Sequence, residues 1–255
     1  GGYRAMKRAV VVGATSGIGR AVAQLLVQRG WCVGVAGRRG ALLDELKAQT
    51  PGLVEAAVLD VTATDAPSCL LQLVERLGGM DVFFYCAGVG WRNDALDGDI
   101  ELHTVRTNAE GFVRMVGAAF CYYRDRGLAG RIAVVSSIAG TKGLGAAPAY
   151  SATKSMQATY VEALQQLARA RRLPVTLTDI RPGFVDTPLL GGGRYPMTMS
   201  ADEVARAIVR AVERGQGLAI VDFRYRLLTA VWRLLPRWLW LRMPVGIDIS
   251  NQFKR

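Results

Sequence analysis

Histidine is almost missing from this 255-residue chain: His103 is the only one. A lone imidazole has no second histidine to share a metal ion, and no triad partner for it is recognisable. His103 therefore reads as a surface or helix-capping residue rather than a catalytic one. Cysteine is sparse as well. Cys32, Cys69, Cys86 and Cys121 stand far apart among apolar neighbours, without a C-x-x-C pair or a Cys/His cluster. That spacing argues against a zinc site and a disulfide framework, and for buried free thiols in a reducing compartment. Acids are outnumbered, 21 Asp and Glu against 32 Lys and Arg, for a formal charge of +11. No apolar run reaches the ~18 to 20 residues that cross a bilayer. No leader-like segment precedes the first strand-like run, and Met6 is the expected natural start.

What is present is a chain 51% hydrophobic, enough for one large domain with a substantial core. Short Val/Ile/Ala runs alternate with amphipathic stretches. Strands are predicted at 8–14, 31–37, 54–61, 81–88, 131–137, 174–183 and 217–223. Helices are predicted over 18–29, 41–49, 65–77, about 102–126, 149–171 and the stretch opening at Ser200. Ser200 followed three positions on by Glu203 is a capping box. Nearly continuous apolar strands separated by helices indicate a parallel sheet covered on both faces. The expected fold is α/β, a doubly wound (Rossmann) and mostly seven-stranded parallel sheet, with a C-terminal amphipathic helical appendage. Residues 6–222 form the catalytic domain in this reading, and 223–255 a basic, Trp/Arg-rich extension.

The first strand runs into "GATSGIGR", which places Gly13, Gly17 and Gly19 at the turn before the first helix. Glycine there allows a tight turn and close approach to a pyrophosphate, which the helix N-terminus then binds. Folds that bind NAD usually carry an acid after the second strand, on the ribose 2′-hydroxyl. Here Gly37 holds that position and Arg38 and Arg39 follow. A guanidinium pairs with a 2′-phosphate, so NADP(H) is expected over NAD(H). Asp60, closing the third strand, is either an adenine contact or a strand-end cap. Tyr150 and Lys154 lie four apart on one helical face, and Ser137 lies at the carboxyl end of the fifth strand, where open α/β sheets place ligands. A phenol with a pKa near ~10 needs neighbouring positive charge to serve as acid–base at neutral pH.

Taken together these motifs resemble the classical short-chain dehydrogenases/reductases, over about residues 6 to 222. "GATSGIG" matches T-G-x-x-x-G-I-G except for Val12 at the leading Thr. "YSATK" matches Y-x-x-x-K, "CAG" at 86–88 corresponds to N-N-A-G, and "RPGFVDTP" matches P-G-x-V-x-T. Asn108, in "TNAEG", falls at the family's fourth catalytic position. The resemblance implies that Tyr150 exchanges a proton with the substrate oxygen and Ser137 orients that oxygen. Lys154 would bind the nicotinamide ribose and depress the tyrosine pKa, and Asn108 would hold a water linking Lys154 to a proton relay. Cofactor contacts are implied for Gly13, Thr15, Ser16, Gly17, Ile18, Gly19, Arg38, Arg39, Asp60, Val61, Ala87, Gly88, Asn108, Tyr150, Lys154, Pro182, Gly183, Val185 and Thr187. Tyr85 and Cys86 depart from the two asparagines of N-N-A-G. The family is mostly dimeric or tetrameric, so a homodimer or homotetramer is expected.

Specificity in this fold comes from loops at the carboxyl edge of the sheet. The loop "FVDTPLLGGGRYPMTMS" combines three glycines with apolar Leu189, Leu190, Tyr195 and Met197. That composition suits a mobile lid over an apolar, lipid-like ketone or aldehyde, or its alcohol. Ile138, Leu144, Phe184 and Leu189 are the candidate substrate contacts. From Phe223 onward seven basic residues face a single acid, Asp248. Trp232, Trp238 and Trp240 alternate there with arginine, and Pro236 breaks the helix. Residues 224–243 could contact a membrane peripherally, on its inner face, for a chain that is otherwise cytoplasmic. Packing on the domain or at a dimer interface has the same composition. Three function classes follow: an NADPH-dependent oxidoreductase, a catalytically weak dinucleotide-binding scaffold or sensor, and a nucleic-acid binder. Only the high pI supports the last, and no nucleic-acid motif accompanies it.

Overall fold

In the computed structural model, which describes residues 7–190 and 197–246, β1 (Arg8–Val12) lies at the centre of a sheet. Its outer neighbours on one side are β2 (Cys32–Gly37) and β3 (Val54–Val58). On the other lie β4 (Val82–Tyr85), β5 (Gly130–Val135), β6 (Val175–Arg181) and, at the far edge, Leu218–Ile220. The order β3-β2-β1-β4-β5-β6-edge reverses direction beside β1, and every pairing is parallel. Alternate residues of β1 feed opposite cores. Val10 and Val12 join one apolar cluster, while Ala9 and Val11 join the other. A strand buried on both faces has no polar phase, which is why these runs read as continuously apolar.

The helices fill the predicted slots: α1 (Gly17–Gln28), α2 (Gly40–Gln49), α3 (Ala66–Leu77), α6 (Pro148–Ala170) and α7 (Ala201–Glu213). Ser200 and Glu203 make the capping box in both directions. The long helix expected from about Leu102 differs in two ways. It begins earlier, as α4 (Gly98–Val105), because the Asp97 carboxylate accepts from the Asp99 and Ile100 N–H groups and caps it. A π-helical turn, Arg106–Gly111, then separates α4 from α5 (Phe112–Arg126). Such a widened turn shifts the phase of the residues within it and often marks a functional position.

Two short strands lie outside the expected set. β7 (Val185–Asp186) pairs in parallel with β8 (Met199–Ser200) and closes the base of the loop after β6. Edge strand Leu218–Ile220, β9 in chain order, leads into α8 (Phe223–Leu234) and α9 (Arg237–Trp240). Between these two helices Leu235 is extended, with φ −64° and ψ 124°, as the residue before Pro236 must be to avoid the proline ring. The four cysteines are half-buried rather than fully buried, each near a different element.

Candidate active site

The turn after β1 is held together by missing side chains. A Cβ on Gly13 would lie 2.5 Å from the Ala87 nitrogen, and one on Gly19 would run into the Gly13 carbonyl. Backbone from the ends of β1 and β4 therefore meets directly. Gly17 has φ +56°, and a Cβ there would press on Thr187 at 3.2 Å, which brings Thr187 over the glycine turn. Ser16 precedes α1 in extended conformation and makes no side-chain cap. The first-turn N–H groups of α1 thus receive nothing from the residue best placed to cap them.

At the end of β2, a Cβ on Gly37 would meet the Thr15 methyl at 2.7 Å. Thr15 in turn accepts from the Arg39 guanidinium at 2.8 Å. The position of the expected carboxylate is therefore filled by Thr15. Arg38 and Arg39 are both exposed beside it. Asp60 accepts from the Thr62 N–H at 2.9 Å and from its hydroxyl at 2.8 Å, the geometry of a strand-end cap. Those bonds hold its carboxyl below the usual range, with Arg38 adding to the effect. Val61 is buried against Gly111.

Tyr150, Lys154 and Ser137 come together at the carboxyl end of β5. Pro148 opens α6, and the Ala149 N–H donates to the Glu101 carboxylate of α4 at 3.0 Å, which fixes the start of the helix one residue before Tyr150. Burial raises the Tyr150 pKa, and a hydrogen bond with Ser137 opposes the rise. Ser137 itself begins a short 3-10 turn, accepting from the Ala139 N–H at 3.0 Å. The Lys154 ammonium lies 5.7 Å from the centre of the Tyr150 ring and donates to the Val135 carbonyl at 3.1 Å. Burial pushes Lys154 down to about 8, with the Asp179 carboxylate and the Cys86 thiol acting the other way. Lys154 is thus cationic below pH 8 and increasingly neutral above it.

Asn108 sits in the π-helical turn and is fully buried. Its side-chain amide donates to the Val89 carbonyl at 2.7 Å and accepts from the Val89 N–H at 2.9 Å. This clamps the segment after β4, where Ala87 and Gly88 lie. A Cβ on Gly88 would lie 3.4 Å from both Asn108 Oδ1 and Lys154 Nζ. Tyr85 and Cys86, the departures from the family pattern, differ in setting. Tyr85 packs edge-on against Phe112, and burial pushes the Cys86 thiol up to about 12. His103 is exposed in the last turn of α4, its ring 5.4 Å from that of Trp91.

Of the candidate substrate contacts, Ile138 is buried and its N–H donates to the Pro182 carbonyl at 3.1 Å. Leu144 and Phe184 are half-buried and Leu189 is exposed. Val185 is buried at the base of the loop. The middle of that loop, residues 191–196 with Tyr195, and the side chain of Leu190 lie outside the described residues. Three residues escaped sequence reasoning. A Cβ on Gly90 would come within 2.5 Å of the Tyr150 ring. The buried Gln157 contacts both Lys154 and Asn108. Tyr225 of α8 accepts from the Phe184 N–H at 3.1 Å and donates to the Met197 carbonyl at 2.9 Å, joining both sides of the loop. Gly183 makes room for that ring. The appendage thus packs against the loops after β5 and β6. Lys142 Nζ donates to the Leu235 carbonyl at 3.1 Å, and the Trp240 indole to the Gly143 carbonyl at 2.8 Å.

A family model described as short chain dehydrogenase matches residues 7–194. An uncharacterized oxidoreductase of Myxococcus xanthus is 32% identical over 90% of this chain and 93% of its own. Another, from Mycobacterium tuberculosis, is 27% identical over 93% and 94%. Among solved structures, a variant of actinorhodin polyketide ketoreductase with NADPH superposes with a TM-score of 0.74. It is 25% identical, over 85% of this chain and 95% of that one.

Gly90 supplies a direct test of the geometry. A Gly90→Ala variant should keep its circular dichroism spectrum and lose at least about tenfold in kcat, because the methyl group displaces the Tyr150 ring. Unchanged kcat would show that the ring does not act from its position here.

Proposed function

The chain belongs to the short chain dehydrogenase family, and from that premise we propose that it is an NADPH-dependent reductase of apolar, lipid-like ketones or aldehydes, running the reverse oxidation on the alcohols. It is a dehydrogenase/reductase of a family that binds nicotinamide dinucleotides. The observation that carries the reaction is the gathering of Ser137, Tyr150 and Lys154 at the carboxyl end of β5, with the ammonium 5.7 Å from the centre of the Tyr150 ring. The residues present fit a dinucleotide. The glycines put no side chain of their own at the uncapped start of α1, where phosphate oxygens would find free N–H groups beside Thr187. Bound there, the cofactor supplies the hydride.

The protein's own residues do the rest. Ser137 fixes the carbonyl oxygen by hydrogen bonding, and Tyr150 donates its phenolic proton to that oxygen. The raised Tyr150 pKa keeps the phenol protonated at neutral pH, as reduction requires. Lys154 stabilises the phenolate that remains, and does so while it is charged, below about pH 8. The family resemblance assigns the same lysine to the nicotinamide ribose. Preference for NADPH rests on Thr15 filling the space at Gly37 and on exposed Arg38 and Arg39. A scaffold on this fold would have no use for so complete an acid–base set.

The outer face of α8 and α9 supports a peripheral membrane contact. Phe223, Leu227, Val231 and Leu234 recur at helical spacing on one exposed stripe of α8, continued by exposed Trp238 and Leu241. Arg226 and Arg233 flank it, followed by Arg237 and Arg242, and residues 223–246 contain no acid. Of Trp232, Trp238 and Trp240, whose surroundings the sequence left open between lipid and protein, Trp238 alone faces outward. Trp240 is buried against the loop after β5, and Trp232 packs edge-on against it. A two-fold contact between copies would set this basic patch against the same acid-free patch of its copy, without a compensating carboxylate. An anionic headgroup layer over an apolar one complements both features. No helix among the described residues is long and apolar enough to cross a membrane.

Three measurements test this reading. Tyr150→Phe should cut kcat by about 10² to 10⁴ with aldehydes and ketones of graded chain length, and full retained turnover would overturn the enzymatic role. The Arg38→Ala, Arg39→Ala pair should raise KM for NADPH about tenfold and leave NADH within about twofold; equal effects would remove the 2′-phosphate argument. The intact protein should sediment with phosphatidylglycerol vesicles, and Leu227→Glu with Leu234→Glu should abolish this. Unchanged sedimentation, or loss of a dimer in the same variant, would assign the stripe otherwise.

A further inference from the structure

Gln157 lies one helical turn beyond Lys154 on α6 and is completely buried. Its side-chain amide donates to the backbone carbonyl of Asn108 at 2.8 Å and accepts from Lys154 Nζ at 3.2 Å. A carbonyl oxygen only accepts and an ammonium only donates, so one orientation of the amide satisfies both partners. The sequence resemblance assigns the link between Lys154 and Asn108 to a water. We propose that Gln157 makes that link itself and acts as a positioning residue for Lys154. This rests on the acid–base role of Tyr150 and Lys154 proposed above.

The physical argument starts from the ammonium. A buried cation keeps its proton only as far as neighbouring acceptors repay its lost hydration. Lys154 has two described acceptors, the Val135 carbonyl and Gln157 Oε1. The other groups facing it are the Cys86 thiol behind β4, the Asp179 carboxylate of β6 and, on its own helix, the Tyr150 ring. Asp179 is already committed, to the Ser136 hydroxyl and to Arg181 at 2.7 Å. Cys86 is thiol rather than thiolate at neutral pH. Gln157 is thus the one neighbouring side chain among the described residues that supplies Lys154 with a neutral acceptor. It also ties the ammonium to the π-helical turn, whose Asn108 clamps Val89 and, through it, the glycine under the Tyr150 ring. An amide bridges two groups without taking up or releasing a proton near neutral pH, so its contribution is to hold Lys154 charged and aimed.

The experiment compares Gln157→Leu with Gln157→Ala. Leucine preserves bulk and removes both hydrogen bonds, whereas alanine opens room for a water that can restore them. The readout is the pH titration of the lysine side-chain carbons in the cofactor-free protein, which has only five lysines. It is followed by the pH profile of kcat/KM for reduction. Leucine should lower the Lys154 midpoint by about one unit, because the lost acceptor had favoured the charged form. It should shift the alkaline limb of the profile the same way, and alanine should recover part of both shifts. A packing role predicts the opposite order, since alanine leaves the larger void. An unmoved midpoint in Gln157→Leu, or a larger fall in Gln157→Ala, overturns the proposal. Because the titration needs no turnover, it reads Gln157 even if Tyr150→Phe were to leave activity intact.

Discussion

An ammonium group removed from water costs several kcal/mol unless acceptors surround it, and much of the carboxyl edge of this sheet is organised around the one on Lys154. The end of β5 contributes the Val135 carbonyl, α6 contributes Gln157, and the π-helical turn supports Gln157 in turn. The same turn aims Asn108 at Val89 and so sets the path of the chain after β4. That path needs glycine at 90, where a side chain would collide with the tyrosine ring, and it brings Gly88 up against the lysine. Charge burial, an irregular helix and two bare backbone positions are in this sense one arrangement. Removing the charge would leave the others without a purpose, and relaxing any of them would leave the charge poorly solvated.

The cofactor side depends on the opposite condition, the absence of groups. At Gly13 and Gly19 backbone meets backbone, and at the start of α1 a serine in cap position makes no cap. A surface so stripped is useful only to a ligand that brings its own acceptors. The loops after β5 and β6, by contrast, are held by the C-terminal helices, elements far apart from them in sequence.

The sheet, the helices over it and the Ser–Tyr–Lys set were legible in the sequence because each rests on local pattern. An unbroken apolar run such as "AVVV" at 9–12 shows a doubly buried strand without any knowledge of its neighbours, and Ser200 with Glu203 announces a helix start within four residues. Gln157 was not legible, since a glutamine on a helix reads as solvated until the partners at 108 and 154 are seen beside it. Gly90 lacked a signal for the same reason: its neighbour in space, Tyr150, is far away in the chain. The π-helical turn leaves no compositional mark, as "RTNAEG" would serve equally in an α-helix. Trp240 and Trp238 differ by two positions and by nothing in chemistry, yet one is buried against Gly143 and the other exposed. Two positions apart on α9, the indoles lie about 200° apart around the helix, so one faces the domain where the other faces out.

Tyr225 carries an implication for how relatives of this chain can diverge. Its hydroxyl spans the two stems of the loop after β6, joining Phe184 to Met197, and its ring occupies the space that Gly183 leaves free. Loop, glycine and helix α8 are therefore a single unit of exchange. A loop transplanted from another member would arrive without the tyrosine that ties its ends. A shortened C-terminus would untie the native one. A change in the loop after β6 and a change in α8 are coupled through this one side chain.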